Sequence, residues 1–140
     1  MAGAAGRFDL LALAREFPAT AETMLLDRYL VDTPERSVRL FRVYRGAPAH
    51  FHRGCDETLY VLSGRGTFWM GTPAEGGEFG PGELLCFPRG MVHATPTIME
   101  GPDAEAVVFL AIDTPRRDPA DVVFADAADG TAADFIRESR

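Results

Sequence analysis

The sequence has 140 residues, of which 46% are hydrophobic and 25% charged, a balance that suits one globular domain with an adequate core. Its net charge of −7, with no basic stripe to offset it, excludes nucleic acid as a partner, because phosphate binding needs clustered cations. No apolar window reaches the length of a membrane-spanning helix, and the apolar stretch near the N-terminus is broken by Asp9, Arg15 and Glu16, so neither a secretory signal nor membrane association is predicted.

Residues 8–17 read as a short helix: Asp9 is a candidate N-cap, Leu10, Leu13 and Phe17 recur at helical spacing, and Pro18 ends the pattern. Its apolar stripe is expected to pack on the outside of the fold or against a partner subunit. From there the signal changes to strands. Residues 24–31 and 38–44 are β-rich runs separated by Asp32-Thr33-Pro34, a turn signature. Residues 58–62 and 67–70 flank Ser63-Gly64-Arg65-Gly66 and read as a hairpin. Residues 71–82 read as a turn-rich excursion, 84–87 and 106–112 as two further strands, and Val122-Val123-Phe124 as a last apolar run before a polar tail. Many short strands with one helix favour an antiparallel all-β barrel or sandwich over an alternating α/β layout.

Only three histidines occur. His50 and His52 are separated by one residue, and on a strand such side chains share a face, so both imidazoles can converge on one point. Glu57 follows after a short turn, from which the next strand can return its carboxylate to the same interior. Imidazole and carboxylate together suit Zn, Fe, Mn or Ni. His93 follows Pro88-Arg89-Gly90, a tight-turn signal that can aim it inward. Spacing alone pairs His50 with His52; bringing His93 to them requires the two segments to be neighbouring strands.

Two segments together resemble the cupin superfamily, in its small single-domain, metal-binding form. In the first, Gly46 to Gly64, His50, His52, Glu57 and Gly64 fall in the family's register; in the second, Gly82 to Thr97, so do Gly82, Pro88, Gly90 and His93. Gly46 stands closer to His50 than is usual, and Thr97 replaces the customary Asn; neither is a metal ligand. The resemblance implies a double-stranded β-helix (jelly-roll) barrel, here with a short N-terminal helix. It also implies one divalent transition metal (Fe, Mn, Ni or Zn) on His50, His52, Glu57 and His93. Two coordination positions are left open for water, substrate or dioxygen, as a catalytic metal requires. The organisation expected is a helical extension at 1–22, the barrel at 23–113, and a C-terminal strand and tail at 114–140 packing on it.

The fold does not fix the reaction. An enzyme acting on a small oxygen-rich metabolite is favoured, either a dioxygenase or an isomerase or cyclase that uses the metal as a Lewis acid; the catalytic groups are not identifiable. The alternative is a non-catalytic protein that binds or senses a small ligand. Arg42, Tyr60, Trp69 and Phe109 are candidate pocket residues, although strand alternation sets Arg39 and Arg45 on one face and Arg42 on the other without saying which is inside. Cys55 reads as a small turn residue rather than a ligand, and Cys86 as core packing; both are expected to be reduced in a cytoplasmic protein. A homodimer is expected by analogy, with residues 24–31 contributing.

Overall fold

A computed structural model describes residues 5–138. Helix α1 (Leu10–Ala14) is followed by strands β1 (Leu25–Thr33), β2 (Arg36–Val43), β3 (Ala47–Phe51), β4 (Asp56–Ser63), β5 (Gly66–Met70), β6 (Thr72–Phe79), β7 (Leu84–Phe87), β8 (His93–Ile98) and β9 (Val107–Thr114). The chain then adds β10 (Val123–Phe124), a helical turn α2 (Ala132–Phe135) and β11 (Ile136–Glu138). Two sheets result, in the orders β11-β1-β2-β9-β4-β7 and β10-β3-β8-β5-β6. Every pairing is antiparallel except β1 with β11. The all-β jelly roll with a short N-terminal helix is therefore present. Among the described residues no helix is long and apolar enough to cross a membrane.

Alternation decides the interior. On β2, β4 and β9 the inward series are Ser37-Arg39-Phe41-Val43, Glu57-Leu59-Val61 and Val107-Phe109-Ala111-Asp113, each buried. Register aligns them: Ser37 and Glu57 both pair with Asp113, whereas Phe41 and Val61 both pair with Phe109. One end of the barrel interior is thus charged and the other is apolar, the latter built from Phe41, Val61, Phe79 and Phe109. The aromatic rings of Phe41 and Phe79 lie 5.3 and 5.2 Å from that of Phe109.

Three expectations need correcting. The helix is shorter than residues 8–17. Asp9 does cap it, its Oδ1 accepting from the Ala12 amide at 3.1 Å, but the run ends at Ala14. Pro18 disfavours helical backbone at Phe17, and that ring is buried against Leu30, Leu40 and Val108 on the outer face of the larger sheet. Leu10, Leu13 and Ala14 pack on the same cluster, so the helix covers the barrel's outside. Second, residues 72–79 form an edge strand rather than an irregular excursion. Pro73 is tolerated there because an edge strand can spare its N–H. Gly76 is required by proximity, since a Cβ on it would lie 2.2 Å from the Phe68 carbonyl oxygen. Third, Cys86 is exposed on the outer side of β7, because its neighbours Leu85 and Phe87 take the inward positions.

The C-terminal segment extends both sheets. β11 lies along Leu25, Leu26 and Asp27 of β1, covering that part of its edge, and β10 pairs with β3, setting Phe124 opposite His50.

Candidate metal centre

The two histidine-bearing segments meet because β3 and β8 are hydrogen-bonded neighbours in which His50 is the register partner of His93. The turn before β8 is tied to the same place: the Gly90 amide donates to the His52 carbonyl at 2.7 Å, with Gly90 at φ 78°, a conformation that favours glycine. The ring centroids of His50 and His93 are 4.4 Å apart, and His52 is 5.3 Å from each. All three residues are buried, and their nitrogens fall within 4.8 Å of one another.

Backbone carbonyls fix which nitrogen faces inward. Nδ1 of His50 donates to Pro48 O at 2.7 Å, that of His52 to Asp121 O at 2.7 Å, and that of His93 to Met91 O at 3.1 Å. A neutral ring whose proton is on Nδ1 presents a lone pair at Nε2, the second partner orienting the ligand as metal-binding imidazoles need. The Nε2 atoms of His52 and His93 are buried and make no hydrogen bond. Buried orphans of this kind call for an explanation, and a cation is one that satisfies lone pairs without supplying protons. Burial, and then the neighbouring His93 and His52, pushes the basicity of His50 well below the usual imidazole range, so its ring is neutral. Phe87 stacks on His93 at 4.0 Å and 5°, and Phe135 lies 4.7 Å from His50, closing the site with apolar surface.

Glu57 projects from β4 in the opposite sheet. Its Oε1 lies 3.4 Å from His52 Nε2 and 3.5 Å from His93 Nε2. Its Oε2 accepts from Arg39 Nη2 at 3.1 Å and from Arg117 Nη1 at 2.9 Å. Burial by itself raises the Glu57 carboxyl, but the facing imidazoles of His52 and His93 and the Arg117 guanidinium together hold it well below the usual carboxylate range. One oxygen is thus neutralised by arginine while the other faces the histidines.

Arg39 is itself held by carboxylates on every side. Its Nε donates to Asp113 at 2.8 Å, its Nη2 to Asp113 at 3.3 Å, and its Nη1 to Asp27 at 3.2 Å. Although its burial opposes the charged form, Asp113, Glu57 and Asp27 keep Arg39 more firmly protonated than usual. Ser37 Oγ donates to Asp113 at 2.8 Å and accepts from the Arg117 amide at 3.0 Å.

The cavity over the histidines is small, with about 30 Å³ open to the centres of water-sized molecules, room for roughly two waters. Met24, Phe41, Val43, Phe109 and Phe135 form much of its apolar wall, and Arg39, Arg45 and Arg117 also line it. Of the four side chains expected at the pocket, Phe109 reaches it. Arg42 is on the outward face of β2, its guanidinium 4.9 Å from the Tyr44 ring. Tyr60 is on the exposed face of β4, and Trp69, half-buried on β5, does not line this cavity. The inward arginine is Arg39, as its parity with Phe41 and Val43 could have shown. Arg117, Asp121 and Phe135 carry no local sequence signal. Cys55 is buried, and desolvation with nearby Asp113 pushes its thiol up to about 12, so it is a neutral thiol and a poor ligand at neutral pH.

A pH dependence of stability follows for the metal-free protein. His50 is held neutral when folded but titrates near 6.5 when unfolded, so below that pH the unfolded chain binds more protons. The depressed Glu57 acts in the same sense at lower pH. The thermal midpoint is expected to fall as pH is lowered from 7 towards 4, first through the histidine and then through the carboxylate. A His50→Gln variant should flatten the pH 7 to 5 part of the curve.

A family model for the cupin domain matches residues 41–112. No curated protein matches in sequence. Among solved structures, the chain is similar to a Ralstonia eutropha protein provisionally named a mannose-6-phosphate isomerase, with TM-score 0.65 and 19% identity over 79% of this chain and 98% of that one. It is also similar to an uncharacterised Klebsiella pneumoniae protein with a double-stranded β-helix domain, with TM-score 0.60 and 18% identity over 79% of this chain and 90% of that one. A third is the Streptomyces nucleoside dehydratase Pac13, with TM-score 0.50 and 21% identity over 69% of this chain and 75% of that one. At these identities the likeness is one of fold.

Proposed function

Because the chain belongs to the cupin family, we propose that it binds one divalent transition metal through Nε2 of His50, His52 and His93 with Glu57 Oε1, and uses it to act on a small oxygen-rich metabolite. The observation that carries this reading is the orientation of the imidazoles: three buried rings, each with its Nδ1 proton given to a carbonyl, direct lone pairs at one place. When bound, the metal would supply Lewis acidity towards a carbonyl or hydroxyl oxygen of the ligand. The chain's own residues do the rest. Glu57, neutralised on its far side by Arg39 and Arg117, holds its near oxygen towards the histidines. Phe87, Phe109 and Phe135 keep bulk water away, which strengthens every charge interaction inside.

Isomerase or cyclase chemistry is favoured over oxygenation, and two of the structural neighbours are named for an isomerase and a dehydratase, reactions that move protons without consuming oxygen. A second reading, small-ligand binding without turnover, is favoured by one feature: among the described residues, apart from the histidines and Glu57, the cavity lining includes no carboxylate, tyrosine or lysine to relay a proton.

Protein purified without chelator or added metal should contain close to one equivalent of a transition metal. In D₂O, a panel of small hydroxyketones should exchange carbon-bound hydrogen without oxygen uptake. Metal at one equivalent with neither exchange nor oxygen uptake would favour the binding reading, and oxygen uptake would favour the dioxygenase. Absence of stoichiometric metal even after reconstitution overturns the proposal.

A further inference from the structure

Arg117 lines the cavity with its side chain 2% exposed, and it is only half used. Nη1 is spent on Glu57, whereas Nε and Nη2 are buried with no hydrogen-bond partner. Those two groups lie on one edge of the planar guanidinium and form the fork that fits both oxygens of a carboxylate. Elsewhere in this chain that same edge is filled in this way. Arg39 offers Nε and Nη2 to Asp113, Arg89 offers them to Asp56, and Arg116 offers them to Asp32. A buried, permanently charged fork without an acceptor is expensive, and evolution ordinarily fills it or places it at a binding site.

The carboxylates nearby already have cationic partners and do not use the free edge. Asp27 and Asp113 pair with Arg39, and Glu57 with both Arg39 and Arg117. The fork is also close to the histidines: Arg117 Nη1 is 2.9 Å from one Glu57 oxygen, and the other Glu57 oxygen is 3.4 Å from His52 Nε2. A ligand spanning both anchors must therefore be short, as the cavity's size also requires.

We infer that Arg117 is a specificity-determining residue whose free Nε/Nη2 edge receives the carboxylate of a small acid, placing a neighbouring hydroxyl or carbonyl oxygen of that acid towards the three histidines. The inference deepens the metal-centre reading and rests on it only for the second anchor; the fork itself needs no metal.

Titration calorimetry of the wild-type protein, as purified and metal-loaded, tests it with matched acid and amide pairs: acetate and acetamide, glycolate and glycolamide, lactate and lactamide, pyruvate and pyruvamide. At least one acid should bind roughly 10-fold or more tightly than its amide, as a charge-assisted pair of hydrogen bonds predicts. Arg117→Lys, which keeps the charge but loses the fork, should abolish that preference while metal content stays at the wild-type value. Arg45→Lys, at the exposed cationic residue of the cavity lining, should leave the preference intact. Equal binding of acids and amides by wild type, no binding of any acid at millimolar concentration, or a preference that survives Arg117→Lys would each overturn the inference. If Arg117→Lys does not fold, loss of the preference in Arg45→Lys overturns it and retention supports it. Failure of the metal reading would register separately, as missing metal in the wild type, with the preference of metal-free protein still deciding the role of Arg117.

Discussion

Replacing His93 with alanine is expected to remove nearly all bound metal, a larger loss than the roughly 10- to 100-fold that removal of an outer-shell partner produces. His93 is supplied by β8, across the sheet from His50, so it is the ligand that depends on two remote segments meeting. With it absent, His50 and His52 from one strand end and Glu57 from the opposite sheet are one ligand short, and the ion is expected to be lost during purification. Metal content by mass spectrometry checks this, and circular dichroism should show an intact barrel, because the vacated space is small and walled by Phe87. Unchanged metal content in His93→Ala would mean that the three rings do not act as one site. The carbonyl partner of His52 gives a graded control: backbone contacts cannot be deleted singly, but Asp121→Ala frees the loop, since the Asp121 carboxylate accepts from the Arg53 and Gly54 amides at 2.8 Å each. A partial fall in affinity is expected there, intermediate between wild type and His93→Ala.

Arg39→Met is expected to be the most destabilising single change away from the hydrophobic core. It removes the guanidinium that the buried carboxylates of Asp27, Asp113 and Glu57 share. Breaking a buried ionic pair from one side costs about 3–5 kcal/mol. For a chain of this size that corresponds to a fall in thermal midpoint on the order of 10 °C. Urea unfolding should show a lower midpoint at unchanged slope, the sign of lost stability without a changed denatured state. The same substitution at Arg42, three positions along β2 and on the opposite face, should cost about 1 kcal/mol or less, because its contacts are the half-buried Tyr44 ring and one backbone carbonyl. Equal effects at the two positions would refute the assignment of faces.

Much of this architecture was legible in the residues. Alternation announced β1, β2, β4, β5, β7 and β9, and the two histidine-bearing segments announced the family. β6 was hidden because its exposed Thr72-Pro73-Ala74-Glu75 run has no buried face to generate alternation. β8 was hidden for a related reason, since Pro96 and two threonines leave His93–Ile98 with little apolar alternation. The helix was overread because an apolar spacing of three and four residues is satisfied equally by a helix followed by a turn that buries Phe17. The site divides along the same line. His50 and His52 are a local pair, visible from spacing. Arg39 was within reach, since its strand parity matches that of buried Phe41 and Val43. Arg117 and Asp121 were not: each acts on residues more than fifty positions away, through contacts with no echo in the sequence around them.

The late position of those two residues has a consequence for biosynthesis. Every imidazole has been synthesised by residue 93, yet His52 acquires the carbonyl that orients it only with residue 121, and Glu57 its second guanidinium only with residue 117. β10 and β11 then close against strands laid down near the start of the chain. Such distant pairings are slow to form, so the nascent chain passes through a stage in which all three histidines exist but His52 lacks the carbonyl that orients it. A fully oriented donor set, as proposed for the metal centre, therefore forms only after residues 117 and 121 have folded back onto the barrel.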